Sequence, residues 1–383
     1  MAAPLLCFAG VDYWYHARAH SDIQLMIEAS RQRPVLLINS VGMRMPMPGR
    51  SSKPLRRILR KAASVGRLIR TPRTDLPDFH VFSPLSVPMR GRAGRWNAGL
   101  LRYQVRAALR WLGMREPDIF LTPPTAFPVA RAIPHRSLIY NRSDKHSEFP
   151  GADQDHLRSL EASLFAEADH VLYVNGLLLD EEREAVGERG ILLDHGVDLE
   201  LFRPCAPPPP DLASIPSPRI GFFGGLRDHL VDFDLLEALA VAKPEAHLVL
   251  VGEAASPLDR LLSHPNVHWL GNKEHEEIPA YGGGFDVALM PYRDVDWIRY
   301  CNPIKLKEYL ALGLAVVSTD FPEAHRFSSQ IRIAKDVQDF LDQVDMALQE
   351  EDEGLALQRR SSLEGQAWSD KARELLALYD ERD

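Results

Sequence analysis

Cysteine is scarce in this chain, with three in 383 residues. Cys7, Cys205 and Cys301 lie far apart and no C-x-x-C pair occurs. That argues against a disulfide framework or a structural zinc site and suits a reducing, cytoplasmic setting. Long apolar runs are missing too. None approaches the roughly 18–20 residues needed to span a bilayer, so any membrane contact is expected to be peripheral. The opening MAAPLLCFAG has no basic residue before its short apolar run, and no secretory signal is expected. Nor is the composition that of a disordered or collagen-like protein: 45% of residues are hydrophobic and 26% charged.

What is present is a repeated α/β pattern. The length exceeds the roughly 250–300 residues over which one core keeps growing, so two domains are expected. Short, continuously apolar runs such as Leu5–Ala9, Val35–Asn39, Ile119–Thr122, Ile220–Phe223, His247–Val251 and Val287–Met290 suit parallel strands buried on both faces. Helical patterns lie between them, for example Leu157–Ala168, Leu235–Ala242, Ile304–Leu312 and Val337–Leu348. Residues 204–218 hold seven prolines in fifteen positions and suggest a stiff linker. The expected division is an N-terminal domain over 1–203, the linker over 204–218, a second domain over 219–360 and a C-terminal helix over 361–383. In that helix Trp368, Ala372, Leu375, Leu376 and Tyr379 share one side.

Charge is unevenly spread. The net charge is −8, yet residues 43–115 carry 17 lysines and arginines against two acids, so that segment is +15 and the rest −23. The basic residues fall in two helix-like stretches within 53–115, KPLRRILRKAASVGRLIR and RWNAGLLRYQVRAALRWLGM. In the first, Leu55, Ile58, Leu59, Ala62, Leu68 and Ile69 follow helical spacing. Basic amphipathic helices with tryptophans can lie on an anionic bilayer. The other reading is two ordinary surface helices whose cationic side chains snorkel over a core. Nucleic acid is not an expected partner, because no recognition motif accompanies the patch and the remainder is acidic.

Two motifs carry chemistry. The first is PRIGFFGGLRDHLVDFDLLEALA, a strand that runs into Gly224-Gly225 and then a helix. Paired glycines let backbone approach a ligand, and a helix N-terminus favours anions. The spacing Gly221-x-x-Gly224-Gly225 is not the G-x-G-x-x-G fingerprint, which disfavours NAD. The second is CNPIKLKEYLALGLAVVSTDFPEA, where Asn302-Pro303 opens a helix at Ile304, and Lys305 and Glu308 share one face. An ammonium there suits phosphate and a carboxylate suits ribose hydroxyls. The triplets Asp232-Phe-Asp234 and Asp294-Val-Asp296 are of a kind that holds metal in other folds, but a lysine and helix dipoles can do that work, so no metal is expected.

The order of Gly-Gly turn, GFDVALMPY, NPIKLKEYLALGLAVVST and a tryptophan-bearing C-terminal helix resembles the donor half of glycosyltransferases of the GT-B fold. It is similar to bacterial transferases of envelope and exopolysaccharide assembly, including the teichuronic-acid and xanthan glucuronosyltransferase types. DHGVDLELFRP resembles their crossing segment, with His195, Gly196, Val197, Asp198 and Phe202 in place. The resemblance implies two Rossmann-like domains facing across a cleft, with the C-terminal helix packing back on the first. The implied activity is a metal-independent hexosyltransferase that needs no cofactor beyond its UDP- or GDP-linked sugar donor. Carried over by position, Gly224 and Gly225 approach the diphosphate, Lys305 is its cation and Glu308 holds ribose, with Arg227, Tyr292 and Ile304 as further donor-side candidates. Tyr300 stands where the large retaining family has a second glutamate.

IYNRSDKHSEFPG resembles the stretch that supplies a catalytic aspartate in the same transferases, which implies Asp144 as the base. Asp12, His16 and His20 follow the first strand and are acceptor-side candidates. The expected acceptor is a saccharide or a lipid-linked hydroxyl, and the expected place is the cytoplasm or the inner face of the plasma membrane. A 2-epimerase of the same fold and a non-catalytic nucleotide-sugar-binding partner are the alternatives.

Overall fold

The computed structural model describes residues 2–16, 20–39, 63–85, 91–146, 153–204, 207–350 and 353–381. It divides into two compact units, Met1–Asp194 with Trp368–Asp383, and His195–Ala367. Residues 53–62, the start of the first basic stretch, lie outside the described residues.

Unit 1 is built on an 8-stranded sheet in the order β3-β4-β2-β1-β5-β6-β7-β8. Its strands are β1 (Leu5–Phe8), β2 (Val35–Ile38), β3 (Ile69–Arg70), β4 (Phe79–Phe82), β5 (Asp118–Leu121), β6 (Leu138–Arg142), β7 (His170–Tyr173) and β8 (Gly190–Leu192). All pair in parallel except β3, which runs antiparallel to β4. The apolar runs predict the parallel strands because both faces are covered: every residue of β1, β2 and β5 is buried. The helical reading of the first basic stretch does not extend through Leu68 and Ile69. Leu68 takes a positive φ of 52°, and Ile69 then enters β3.

Unit 2 is a 6-stranded, wholly parallel sheet in the order β11-β10-β9-β12-β13-β14. Its strands are β9 (Arg219–Phe223), β10 (His247–Val251), β11 (Val267–Trp269), β12 (Val287–Met290), β13 (Ala315–Thr319) and β14 (Arg332–Ala334). The longer helices are α1 (Ser21–Ala29), α2 (Gly91–Trp111), α3 (Gln154–Glu167), α4 (Gly176–Val186), α5 (Phe233–Ala242), α6 (Ile304–Leu312), α7 (Val337–Leu348), α8 (Glu353–Ser361) and α9 (Trp368–Asp380). In both sheets the strand order reverses direction at one point, between β1 and β5 and between β9 and β12. Crevices at such points, beyond the carboxyl ends of the strands, are where open α/β sheets take ligands.

The C-terminal helix packs on unit 1, as the resemblance implies. Trp368, Ala372, Leu375, Leu376 and Tyr379 of α9 are buried, and the Tyr379 hydroxyl donates to the Ile119 carbonyl at 2.9 Å. Arg33 bridges Asp118 (3.1 Å) and Asp380 (2.5 Å), and the buried Lys371 reaches Asp194 at 2.9 Å. Among the described residues no helix is long and apolar enough to cross a membrane.

The two compact units divide at Asp194 and His195, before the prolines, and again at Ala367 and Trp368. Residues 207–218 of the proline stretch belong to unit 2. They include a short helix, Pro210–Ala213, whose Leu212 is fully buried. Asp211 accepts from Lys273 Nζ at 2.8 Å and from the Tyr281 hydroxyl at 3.0 Å. A buried leucine and a paired carboxylate make this stretch a strap on unit 2 and not a free linker. Leu212→Ala is therefore expected to lower the stability of unit 2 by about 2–5 kcal/mol, read as a shifted denaturant midpoint, whereas a free linker loses nothing.

Candidate functional site

β9 ends in Phe223, and beyond Ala288 its neighbour β12 no longer pairs with it. The Phe223 amide instead donates to the Tyr309 hydroxyl of α6 at 3.0 Å, and the two rings lie 4.4 Å apart. This fixes the start of α6 over the switch point. Gly224 follows with φ 143°, and a Cβ there would overlap Lys305 Nζ. Gly252, with φ 142°, lies against the Gly224 backbone so closely that a Cβ would strike its carbonyl. Glycine is thus favoured at both by conformation, and at Gly252 by the backbone sterics as well.

Lys305 Nζ sits 4.4 Å from the Phe222 ring and 5.5 Å from the Tyr292 ring. Among the described residues neither its ammonium nor the Glu308 carboxylate has a hydrogen-bond partner. Burial lowers the Lys305 pKa to about 8, although Glu308 and Cys301 pull the other way. Burial raises Glu308 to about 7, with Lys305 opposing the shift and Asp198 adding to it. Pro303 at the N-cap offers no side-chain cap, so the first turn of α6 presents amides without a side-chain acceptor. Gly313, in the left-handed region, ends the helix.

The remaining donor-side candidates divide. Tyr292 is buried, its amide donating to Thr319 Oγ1 at 3.1 Å and its ring meeting Phe321 edge-on. Ile304 opens α6. Arg227 and Gly225 are exposed beyond the glycine turn. Asp232 caps α5 through the amides of Asp234 and Leu235, and Asp234 is bound by Arg260 and Arg293, so this triplet is occupied by structural work. Sequence reasoning misses a cavity of about 500 Å³ beyond the ends of β12, β13 and β14. Tyr292, Thr319, Asp320, His325 and Lys335 line it, and His325 pairs with Asp320 at 2.7 Å. The chain brings these together from three strand ends, which no local motif announces.

In unit 1, Asp144 follows β6 and is half-buried. Arg142, buried in the last position of β6, holds Glu161 (2.6 Å) and Glu182 (2.9 Å) and donates to the Asp144 carbonyl at 2.6 Å. That pins the backbone and leaves the Asp144 carboxylate without a hydrogen-bond partner among the described residues. Burial raises its pKa to about 6, with His20 and Arg142 lowering it and Asp22 raising it.

His20 precedes α1, and its Nδ1 lies 2.6 Å from Asp22 Oδ1. Asp22 was not a sequence candidate, since an acid in the first turn of a helix is commonplace. It is fully buried and also accepts from the Gly10 amide at 2.9 Å. Burial pulls the His20 pKa down, but Asp22 and Asp144 more than reverse this and the net shift is upward. Asp12 accepts hydrogen bonds on both carboxylate oxygens. It accepts from the Trp14 amide (3.0 Å) and Ser64 Oγ (2.7 Å) in a network with Asn39 and Ser83 that joins the ends of β2 and β4. Its carboxylate is committed to structure. The side chain of His16 lies outside the described residues.

Residues 217–350 match the family model described as Glycosyl transferases group 1. The matched segment lies within unit 2. All the donor-side candidates fall inside it. TuaH of Bacillus subtilis (strain 168), whose own assignment as a teichuronic acid biosynthesis glycosyltransferase is provisional, is 31% identical over 197 residues. The match covers 49% of this chain and 49% of TuaH, so the chain is aligned with about half of that relative's length.

Solved structures resemble the whole chain. Sucrose-phosphate synthase from Thermosynechococcus elongatus superposes with a TM-score of 0.68 at 14% identity, over 100% of this chain and 99% of its own. Anabaena HepE in complex with UDP-glucose gives 0.68 at 15%, over 100% of both chains. The α,α-trehalose 6-phosphate synthase of Burkholderia multivorans gives 0.67 at 13%, over 100% of this chain and 99% of its own. At such identities the likeness shows the fold, which is GT-B, and the residues matched by the family model fall in its second unit.

The unit 1 pair yields a direct test. Asp22→Asn removes the anion beside His20 while burial remains, so the imidazole pKa is expected to fall below the ordinary 6.5. An NMR titration of the His20 ring reads this, and an unchanged midpoint would remove Asp22 as its partner.

Proposed function

We propose that this protein is a glycosyltransferase that moves a sugar from a nucleoside-diphosphate sugar to a hydroxyl of a saccharide or lipid-linked acceptor, in bacterial envelope or exopolysaccharide biosynthesis. The observation that carries the reading is the pair of charges Lys305 and Glu308, beside Gly224 at the switch point of unit 2, neither of which has a hydrogen-bond partner among the described residues. Charges left half-dry without a partner are costly to the fold and fit a site completed by ligand.

The diphosphate lies against the Gly224-Gly225 backbone and the first-turn amides of α6, with Lys305 as counter-charge and Arg227 as an outer cation. Glu308 accepts from the ribose hydroxyls. Tyr292 and Ile304 wall the donor. HepE is solved with UDP-glucose, which makes uridine nucleotides the first to test. Lys305 and the amides supply the charge a divalent ion would bring, so no metal or other cofactor is required. Asp144 takes the acceptor hydroxyl proton as the new bond to the anomeric carbon forms and the bond to the diphosphate oxygen breaks. The nucleoside diphosphate leaves with that electron pair, stabilised by Lys305. The enzyme works in the cytoplasm, peripheral to an anionic membrane surface where lipid-linked acceptors reside. The basic, aromatic α2 supports that placement.

Binding and chemistry separate in two measurements. In a thermal-shift screen of UDP, GDP, TDP and their sugars, one nucleotide is expected to raise the melting temperature by mass action. That response should be lost in Lys305→Met and weaken above about pH 8, where the empty-site lysine loses its proton. No response to any nucleotide would undercut the reading.

Asp144→Asn is expected to abolish transfer while leaving that thermal shift intact. In the wild type, kcat/KM assayed in EDTA should rise with pH through about 6 as Asp144 ionises. Undiminished turnover in the variant would take Asp144 out of the mechanism.

A further inference from the structure

The exposed side of α2 does not look like the outside of an ordinary helix. Trp96 is 83% exposed, Tyr103 and Trp111 are each 73% exposed, and Leu100 is 45% exposed. At 100° per residue these four fall within an arc of about 80°, forming one ridge roughly 22 Å long. The opposite side, Leu101, Val105, Ala108 and Leu109, is buried in unit 1. The fold has therefore satisfied one apolar face of this helix and left a second, aromatic one in water.

The flanks of the ridge differ. Arg102, Arg106 and Arg110 are exposed along one side of it. On the other side Gln104 clasps Leu85, accepting from its amide and donating to its carbonyl, both at 2.9 Å. Leu85 is 53% exposed, so the clasp adds apolar surface beside the ridge. Residues 91–115 contain six arginines and no acid.

We propose that α2 docks unit 1 on an anionic bilayer, with Trp96, Leu100, Tyr103 and Trp111 sunk into the interface and the arginine flank on the headgroups. This rests on the membrane-surface part of the proposed function and names the face responsible. Indole and phenol rings favour the interfacial layer, where one side is apolar and the other wet. Exposed guanidinium groups gain from anionic headgroups at that same depth. A protein partner would need a long, flat counter-face both acidic and apolar, whereas an anionic lipid surface supplies both along any line. The asymmetry fixes the roll of the helix about its axis, with ridge down and arginines to one side.

The test uses the full chain with vesicles of phosphatidylcholine alone or mixed with phosphatidylglycerol, and two double variants, Trp96→Ser with Trp111→Ser and Arg102→Glu with Arg106→Glu. All four sites are exposed, and an unchanged melting temperature and nucleotide response confirm folding. The wild type is expected to sediment with anionic but not neutral vesicles. Brominated acyl chains should quench its tryptophan fluorescence. Each double variant should lose roughly tenfold or more in bound fraction, and the tryptophan variant should lose the quenching.

If the wild type binds but both variants bind equally well, the α2 assignment is wrong and the membrane reading survives through another surface. If no vesicle binds the wild type, both fall. In that case a dimer that the tryptophan variant dissociates would reassign the ridge to a second copy of this chain.

Discussion

The hydrogen bond from the Phe223 amide to the Tyr309 hydroxyl organises unit 2. At the switch point β9 and β12 part, and a strand amide that would have joined a ladder is left over. A buried amide cannot stay unpaired without costing on the order of 1–3 kcal/mol, and the tyrosine supplies the acceptor. In doing so it locks the first turns of α6 above the end of β9. Everything placed on that helix inherits the position: Lys305 against Gly224, Glu308 one turn on, and the uncapped amides around Ile304. The same helix carries Lys307, which is almost fully buried and donates to the carbonyl of His195 and, at 2.7 Å, to the side chain of Gln366. Those residues stand where the chain enters and leaves unit 2.

Unit 1 solves the same topological problem with charge. The ends of β1 and β6 open on the Gly10 amide and on His20, Asp22 and Asp144, and the protonation states of these three side chains depend on one another. Asp22 is held low, because the amides of Gly10 and Ile23 and the His20 ring outweigh its burial. Asp144, with no such donors, is held high. Two carboxylates near one imidazole are thereby driven toward opposite states, the usual arrangement where one group must accept a proton and another must only orient.

Much of this was legible in the sequence, for physical reasons. Parallel strands buried on both faces declare themselves as unbroken apolar runs, so β9, β10 and β12 lie where the pattern puts them. The glycine turn and the Lys305–Glu308 spacing are local and were readable as a pair. What was hidden depends on long-range packing. Composition alone makes residues 204–218 a linker, and only the burial of Leu212 and the pairing of Asp211 show a strap. The two-residue β3 carries no periodicity. Asp12 and Asp22 are both acids near the start of a helix, and sequence cannot tell that one is tied into Asn39 and Ser64 while the other faces His20. The ridge on α2 was blurred in sequence because Leu101 and Leu109 point inward and Trp96 and Trp111 outward, which only burial separates.

The lack of hydrogen-bond partners at Lys305 and Glu308 among the described residues bears on how this protein would evolve under selection for stability alone. A half-buried ammonium and carboxylate without hydrogen bonds leave the empty fold weaker than one with apolar residues of the same volume there. A heat-resistance screen blind to ligand would thus be drawn to these two positions, and to Asp144, and would return robust, inert proteins. The residues whose replacement most improves the empty scaffold are the ones its chemistry cannot spare.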